Sequence, residues 1–205
     1  VQRNKWIRTA ATVALVVSAA SACGSSGEPA SAKGTPVPSP TAAPPEQAAP
    51  QHPAPGKKAP VLEQIKYDLE SRVLSMGGAV SKPTSSTCDT KEVGGEKPQT
   101  FTCTVKYMGV DVPFRVETKG GFILMQYTAT PTKGGVLTAE GMRARAWKQY
   151  GMYGGKAARS LRCDKAPEVQ LVPLDKPSGY RCYVGEGGLK GDYDAIVTAH
   201  GMRLT

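Results

Sequence analysis

Five cysteines, Cys23, Cys88, Cys103, Cys163 and Cys182, constrain this 205-residue chain more than any other feature. Cys88 and Cys103 lie 15 positions apart, Cys163 and Cys182 lie 19 apart, and Cys23 stands alone directly after an apolar stretch. For an exported chain, two local disulfides plus one special thiol is the simplest account of an odd count. The first 60 residues are built from segments without core-forming side chains, so about 145 residues remain for folded structure. That length holds one domain or two very small ones, and units of about 70 residues are marginal without staples. Closing a loop of this size contributes about 3 kcal/mol in the chain-entropy model, which is decisive for so small a core.

Arg3, Lys5 and Arg8 precede an apolar run over residues 10–20, the layout of a signal peptide over residues 1–22. The run is too short for a spanning helix, which needs about 20 apolar residues. Ala20-Ser21-Ala22-Cys23-Gly24 follows. It resembles the lipobox of bacterial lipoproteins, in which small residues precede a cysteine that carries diacylglycerol and becomes the new N-terminus. The resemblance implies lipidation of Cys23, with its acyl (palmitate-type) chains in the membrane, and placement on the outer face of the cytoplasmic membrane. Ala20 stands where that family favours an aliphatic residue, and this leaves ordinary signal-peptidase cleavage as the alternative. Two acyl chains would give stable anchoring. Without Arg3, Lys5 and Arg8, the formal charge of +9 falls to +6. Such a charge suits anionic headgroups, acidic envelope polymers or an acidic protein, and export disfavours nucleic acid.

After Cys23, residues 24–60 are rich in Pro, Ala, Ser and Gly, as in Pro36-Val37-Pro38-Ser39-Pro40. Residues 23–60 are therefore expected to be a lipidated cysteine and a disordered linker, with His52 solvated within it. In extended polyproline geometry such a spacer reaches on the order of 100 Å.

The remainder shows internal similarity. Aligning Val61-Leu62 with Val136-Leu137 places Cys88 and Cys163 at matching positions, 27 residues downstream in each case. Phe101-Thr102-Cys103-Thr104-Val105 then corresponds to Tyr180-Arg181-Cys182-Tyr183-Val184, and Phe114 to Tyr193, each 11 residues beyond its cysteine. Leu62, Ile65, Leu69, Val73 and Met76 make one apolar helical face, ended by Gly77-Gly78. Leu137, Met142, Ala146, Trp147 and Tyr150 give a second, broader face ending near Gly151 or Gly154-Gly155. Residues 110–117 and 122–127 are expected strands around the Lys119-Gly120-Gly121 turn. The expected fold class is α+β, with tandem repeats at 61–131 and 136–205. Each is one helix on a three- or four-stranded antiparallel sheet, closed by Cys88–Cys103 or Cys163–Cys182.

The run of helix, Gly-Gly, Thr87-Cys88, variable loop, Phe101-Thr102-Cys103-Thr104-Val105 and a Val/Phe-rich hairpin resembles domain of unknown function 4333 of actinobacterial envelope proteins. The resemblance covers residues 61–131 and reaches 136–205 only through the internal alignment. It implies location and fold, and no chemistry. The layout is also similar in architecture to the tandem helix-plus-sheet units of secreted beta-lactamase inhibitory proteins.

No G-x-S-x-G or H-E-x-x-H occurs, and His200 is the sole histidine beyond the linker, so no catalytic residue is assigned and the chain is expected not to be an enzyme. Cysteines without a C-x-x-C spacing do not suit zinc, and neither metal nor cofactor is expected. Asp192 and Asp194 share one side of an expected strand, most simply a solvated face. Gly185, Gly187, Gly188 and Gly191 are expected in a turn, since no helix follows them. Charge is uneven: residues 61–131 carry eight basic and eight acidic side chains, whereas 136–205 carry eleven and seven. Arg143, Arg145, Lys148, Lys156, Arg159 and Arg162, interleaved with Trp147, Tyr150 and Tyr153, form a candidate surface for an anionic partner. A solvated helix face with core aromatics is the alternative. The expected role is a membrane-tethered binding or scaffolding module. The runner-up is an inhibitor or sensor that docks on an extracytoplasmic protein.

Overall fold

The computed structural model describes residues 33–40, 49–94, 97–120, 126–186 and 188–205. Its first regular element is a two-residue strand, β1 (Thr35–Pro36). Helix α1 (Val61–Met76) follows, with Leu62, Ile65, Leu69, Val73, Leu74 and Met76 buried along the expected face. It ends where Gly77 N–H donates to Val73 O at 3.0 Å and Ala79 N–H donates to Leu74 O at 2.9 Å. Gly78 takes φ +81° there, a left-handed exit that favours glycine.

Four antiparallel strands form the first sheet, in the order β2 (Thr84–Cys88), β3 (Gln99–Tyr107), β4 (Val110–Lys119) and β5 (Gln126–Pro131). Alternation decides which side faces inward. Phe101, Cys103, Val105 and Tyr107 of β3 and Val112, Phe114 and Val116 of β4 are all buried. In register, Phe101 pairs with Val116, Cys103 with Phe114 and Val105 with Val112. β5 begins at Gln126, so only the end of the strand expected over 122–127 is described. Tyr127 ties it to α1: its hydroxyl donates to Asp68, and Arg72 holds the same carboxylate with Nε 2.8 Å away.

The next elements depart from the expected helix. Val136 and Leu137 belong to strand β6 (Gly135–Thr138), and helix α2 (Ala139–Tyr150) begins after it. Thr138 caps that helix, its Oγ1 accepting from Gly141 N–H at 2.9 Å. Both Val136 and Leu137 are fully buried, the signature of a strand covered on both faces rather than of one helical stripe. A 3-10 turn (Gly151–Tyr153), helix α3 (Gly155–Ser160) and strands β7 (Leu161–Cys163), β8 (Val169–Val172), β9 (Pro177–Val184), β10 (Gly191–Thr198) and β11 (Gly201–Leu204) complete the chain. β6 pairs with β8, and a five-stranded sheet runs β1-β7-β9-β10-β11. A register shift between Asp194 and Ile196 allows Ala195, Ile196 and Val197 of β10 to be buried in succession. The second half therefore holds more than one helix on one sheet.

Both disulfides form as expected, Cys88–Cys103 and Cys163–Cys182. Each joins residues directly opposite one another on neighbouring strands, β2 with β3 and β7 with β9.

Residues 33–205 make one compact unit around a contiguous core that runs from Ile65 and Phe114 to Met142 and Val197. The join between the halves is tight. Thr138 Oγ1 donates to Gly77 O at 2.6 Å, and a Cβ added at Gly141 would stand 2.0 Å from that same oxygen. A Cβ at Gly78 would stand 2.4 Å from Gly141 Cα. Only glycines allow the C-terminal end of α1 and the first turn of α2 to touch at this separation.

The linker also departs from expectation where it is described. Pro36 pairs with Arg162 and Thr35 with Cys163. Val37 N–H donates to Leu161 O at 3.0 Å, and the Val37 side chain joins the core. Proline suits this edge position, where no inner ladder needs its missing N–H. Residues 41–48 lie outside the described residues, as do the expected signal peptide and Cys23.

Gly141→Ala is expected to destabilise the protein by about 1–3 kcal/mol, the usual cost of forcing atoms into a filled site. Urea denaturation of the variant beside the parent measures it, and equal midpoints would contradict the junction.

Candidate functional site

Two places gather polar or charged side chains. The first is centred on Glu70, which lies on the buried side of α1 and is 3% exposed. Its carboxylate accepts three hydrogen bonds, from Ser86 Oγ at 2.6 Å, Thr84 Oγ1 at 2.5 Å and His52 Nε2 at 2.9 Å. The two hydroxyls come from β2, where every second side chain turns toward α1. His52 comes from the linker, and its ring sits edge-on to Tyr67 with centroids 5.5 Å apart. Together with Lys66 and Pro55 these residues line a cleft of about 330 Å³.

The electrostatics follow from this arrangement. Burial alone would raise the Glu70 pKa, but the hydrogen bonds from Ser86, Thr84 and His52 outweigh it, and the net shift is downward. His52 shifts upward, chiefly through its hydrogen bond to Glu70, against a smaller opposing effect of burial. Its other ring nitrogen faces Pro53 O at 3.4 Å, a second acceptor that favours the imidazolium. In a Ser–His–acid catalytic array the imidazole stands between hydroxyl and carboxylate. Here the carboxylate stands in the middle, and both hydroxyls and the imidazole donate to it. Such geometry satisfies a buried anion and fastens residues 49–60 to α1.

His52 was expected to be solvated; its side chain is instead half-exposed, and it holds the most buried carboxylate among the described residues. Glu70 gave one signal in the sequence, a carboxylate between Leu69 and Val73 on the apolar side of a helix. Nothing near His52 in the sequence identified it as the partner.

The second place is the basic stretch of α2, α3 and β7. Its expected members do not share one fate. Tyr150 is a core residue, stacked on Tyr193 at 4.3 Å, and burial raises its pKa to about 12. Trp147 is partly buried, and its ring lies against Gly151. Arg162 binds the linker, its Nε donating to Gly34 O at 2.9 Å and Lys33 O at 3.1 Å. Arg145 is half-buried, with its Nε enclosed and unbonded. Arg143, Lys148, Lys156 and Arg159 are exposed, as is Tyr153. The structure thus separates the nine residues into a structural group and an outward-facing group.

His200 is exposed in the turn before β11. Asp194 pairs with Arg181 at 2.7 Å, and Asp192 lies 3.9 Å from Lys33. Among the described residues, no group of His, Cys, Asp and Glu could hold a metal ion. Gly185 and Gly188 fall in the β9–β10 turn, Gly191 opens β10, and Gly187 lies outside the described residues.

No protein-family model matches the chain, and no characterised protein or solved structure is significantly similar to it.

The His52–Glu70 contact has a defined pH window. The raised His52 pKa makes its contribution complete below the ordinary 6.5 and lost as pH rises through the folded value. The lowered Glu70 pKa makes its contribution present above the ordinary 4.5 and lost as pH falls through the folded value. The contact is therefore strongest between these limits, and solvent screening of the half-exposed imidazole keeps it to about 1 kcal/mol or less. Titration of the His52 ring by NMR is expected to give a midpoint above 6.5 that moves down in Glu70→Gln. An ordinary midpoint in the parent protein would contradict the assignment.

Proposed function

We propose that this chain is a lipid-anchored, extracytoplasmic binding or scaffolding lipoprotein of the cell envelope, held to the outer face of the cytoplasmic membrane through Cys23 and without enzymatic activity of its own. The observation that carries this reading is the division of the cysteines. Four are spent on two cross-strand disulfides in the folded body, which leaves Cys23, inside Ala20-Ser21-Ala22-Cys23-Gly24, as the one cysteine outside them. Paired disulfides suit an oxidising compartment. Among the described residues, no helix is long and apolar enough to cross a membrane. A covalent anchor is consistent with that.

The non-enzymatic reading is supported by Glu70, whose hydroxyl and imidazole partners all donate to it. We also read residues 61–131 and 136–205 as divergent repeats, of the kind that resembles domain of unknown function 4333. In both, a helix precedes a strand that is disulfide-linked to the next long strand, followed by a hairpin. The second would have diverged by gaining β8 and the α3 turn.

Intact mass of the protein extracted from membranes, before and after reduction, tests the anchor. A mature N-terminus at Cys23 carrying diacylglycerol is expected, with the other four cysteines oxidised, and Cys23→Ser should move the protein to the soluble fraction. An unlipidated species released by the parent sequence would overturn the reading.

A further inference from the structure

We propose that the turn carrying Met152 and Tyr153, with the cationic side chains beside it, is a docking surface for an anionic lipid bilayer. This deepens the anchored reading, since it assigns the face that the anchor would bring to the membrane.

Met152 is 71% exposed and Tyr153 77%, far more than any other large apolar side chain among the described residues, the next being Leu189 at 38%. The two are adjacent at the apex between α2 and α3. The apex is built. Gly151 lies under the Trp147 ring, so close that a Cβ would meet it at 2.5 Å. Gly154 N–H donates back to Gly151 O at 2.9 Å, and Gly154 and Gly155 take φ of +64° and +58°. A fold that buries Tyr107, Phe114, Leu137 and Met142 completely thus holds a methionine and a tyrosine out in water. An apolar chain beside an aromatic with a polar tip matches the interface between headgroups and acyl chains.

Charge selects the kind of surface. From Gly141 to Cys163 the sequence contains six basic residues and no acidic one. Arg145 is half-buried and Arg162 binds the linker, while Arg143, Lys148, Lys156 and Arg159 are exposed on α2 and α3, the helices that flank the apex. Cations flanking exposed apolar side chains are attracted to anionic headgroups while the apolar groups enter the boundary layer.

The linker supplies the geometry. Because β1 is docked on β7, only the ten positions from Cys23 to Lys33 separate the proposed anchor from the folded body, at most about 35 Å of extended chain. β7 begins at Leu161, directly after α3 ends at Ser160. The pairing is antiparallel, so the chain enters the body opposite Cys163 and runs along β7 toward Leu161 and the end of α3, where Val37 N–H donates to Leu161 O. A linker of 37 free residues would not favour any face; a docked one does.

Hydrogen exchange of the full-length Cys23→Ser chain, which carries no acyl group, tests the surface apart from the anchor. Vesicles of phosphatidylcholine alone are compared with vesicles of equal parts phosphatidylcholine and phosphatidylglycerol. Because the readout is local to residues 148–160, attachment elsewhere in the chain does not produce it. Exchange there is expected to slow about fivefold or more on the anionic vesicles only. The slowing should disappear in Met152→Ser/Tyr153→Ser and weaken in Lys156→Gln/Arg159→Gln, with β3 and β9 still protected as a check on folding. Three results would overturn the proposal: no slowing on either vesicle, equal slowing on both, or slowing that grows with protein concentration without vesicles, which would assign the face to a second copy. An unlipidated parent protein by intact mass, with slowing intact in the Cys23→Ser chain, would instead overturn the anchor alone.

Discussion

The approach of Gly141 to Gly77 and Gly78 is the contact on which the rest of the body depends. It lets the end of one helix abut the start of the next at backbone distance, and Thr138 bonds both sides of the join, donating to Gly77 O and accepting from Gly141 N–H. With the helices so placed, β6 is drawn between the layers, where Val136 and Leu137 are covered on both faces. One core then serves both disulfide-closed halves. Two separate units of about 70 residues would each bury a smaller fraction of their surface. A shared core removes that difficulty, and the disulfides add their constraint on the unfolded chain.

Where a pattern is local and periodic, the fold was legible. The face of α1, the alternation of β3 and β4, and the two disulfides all follow from spacing, because neighbouring strands bring Cys88 to Cys103 and Cys163 to Cys182. Leu137 fits a helical face by spacing but lies in β6, because its partner strand, β8, is more than 30 residues downstream and leaves no mark on the local period. The Gly77–Gly78 pair was legible as a helix stop; its second role, admitting Gly141, depends on tertiary contact.

The linker was the least legible part. Composition averages over a segment, and Thr35-Pro36-Val37 docks by backbone pairing and one buried valine, which such an average dilutes. Two further ties are equally nonlocal: Arg162 binds the carbonyls of Lys33 and Gly34, and Glu70 binds His52. Both explain why residues that suggested surface chemistry, or solvation, serve instead to fix the linker. Of the basic and aromatic group, the outward-facing remainder lies on α2, α3 and the turn that carries Met152 and Tyr153, and there the sequence pattern and the exposure coincide.

The central structural claim is that residues 33–205 are one cooperative body built across the glycine junction. Native-state hydrogen exchange in increasing denaturant tests it most directly, by comparing the slowest amides of β3 with those of β9. Both are expected to converge on the same opening free energy, equal to that of global unfolding. Exchange of β9 through a separate, lower-energy opening while β3 stays protected, or the reverse, would show two independent units and contradict it.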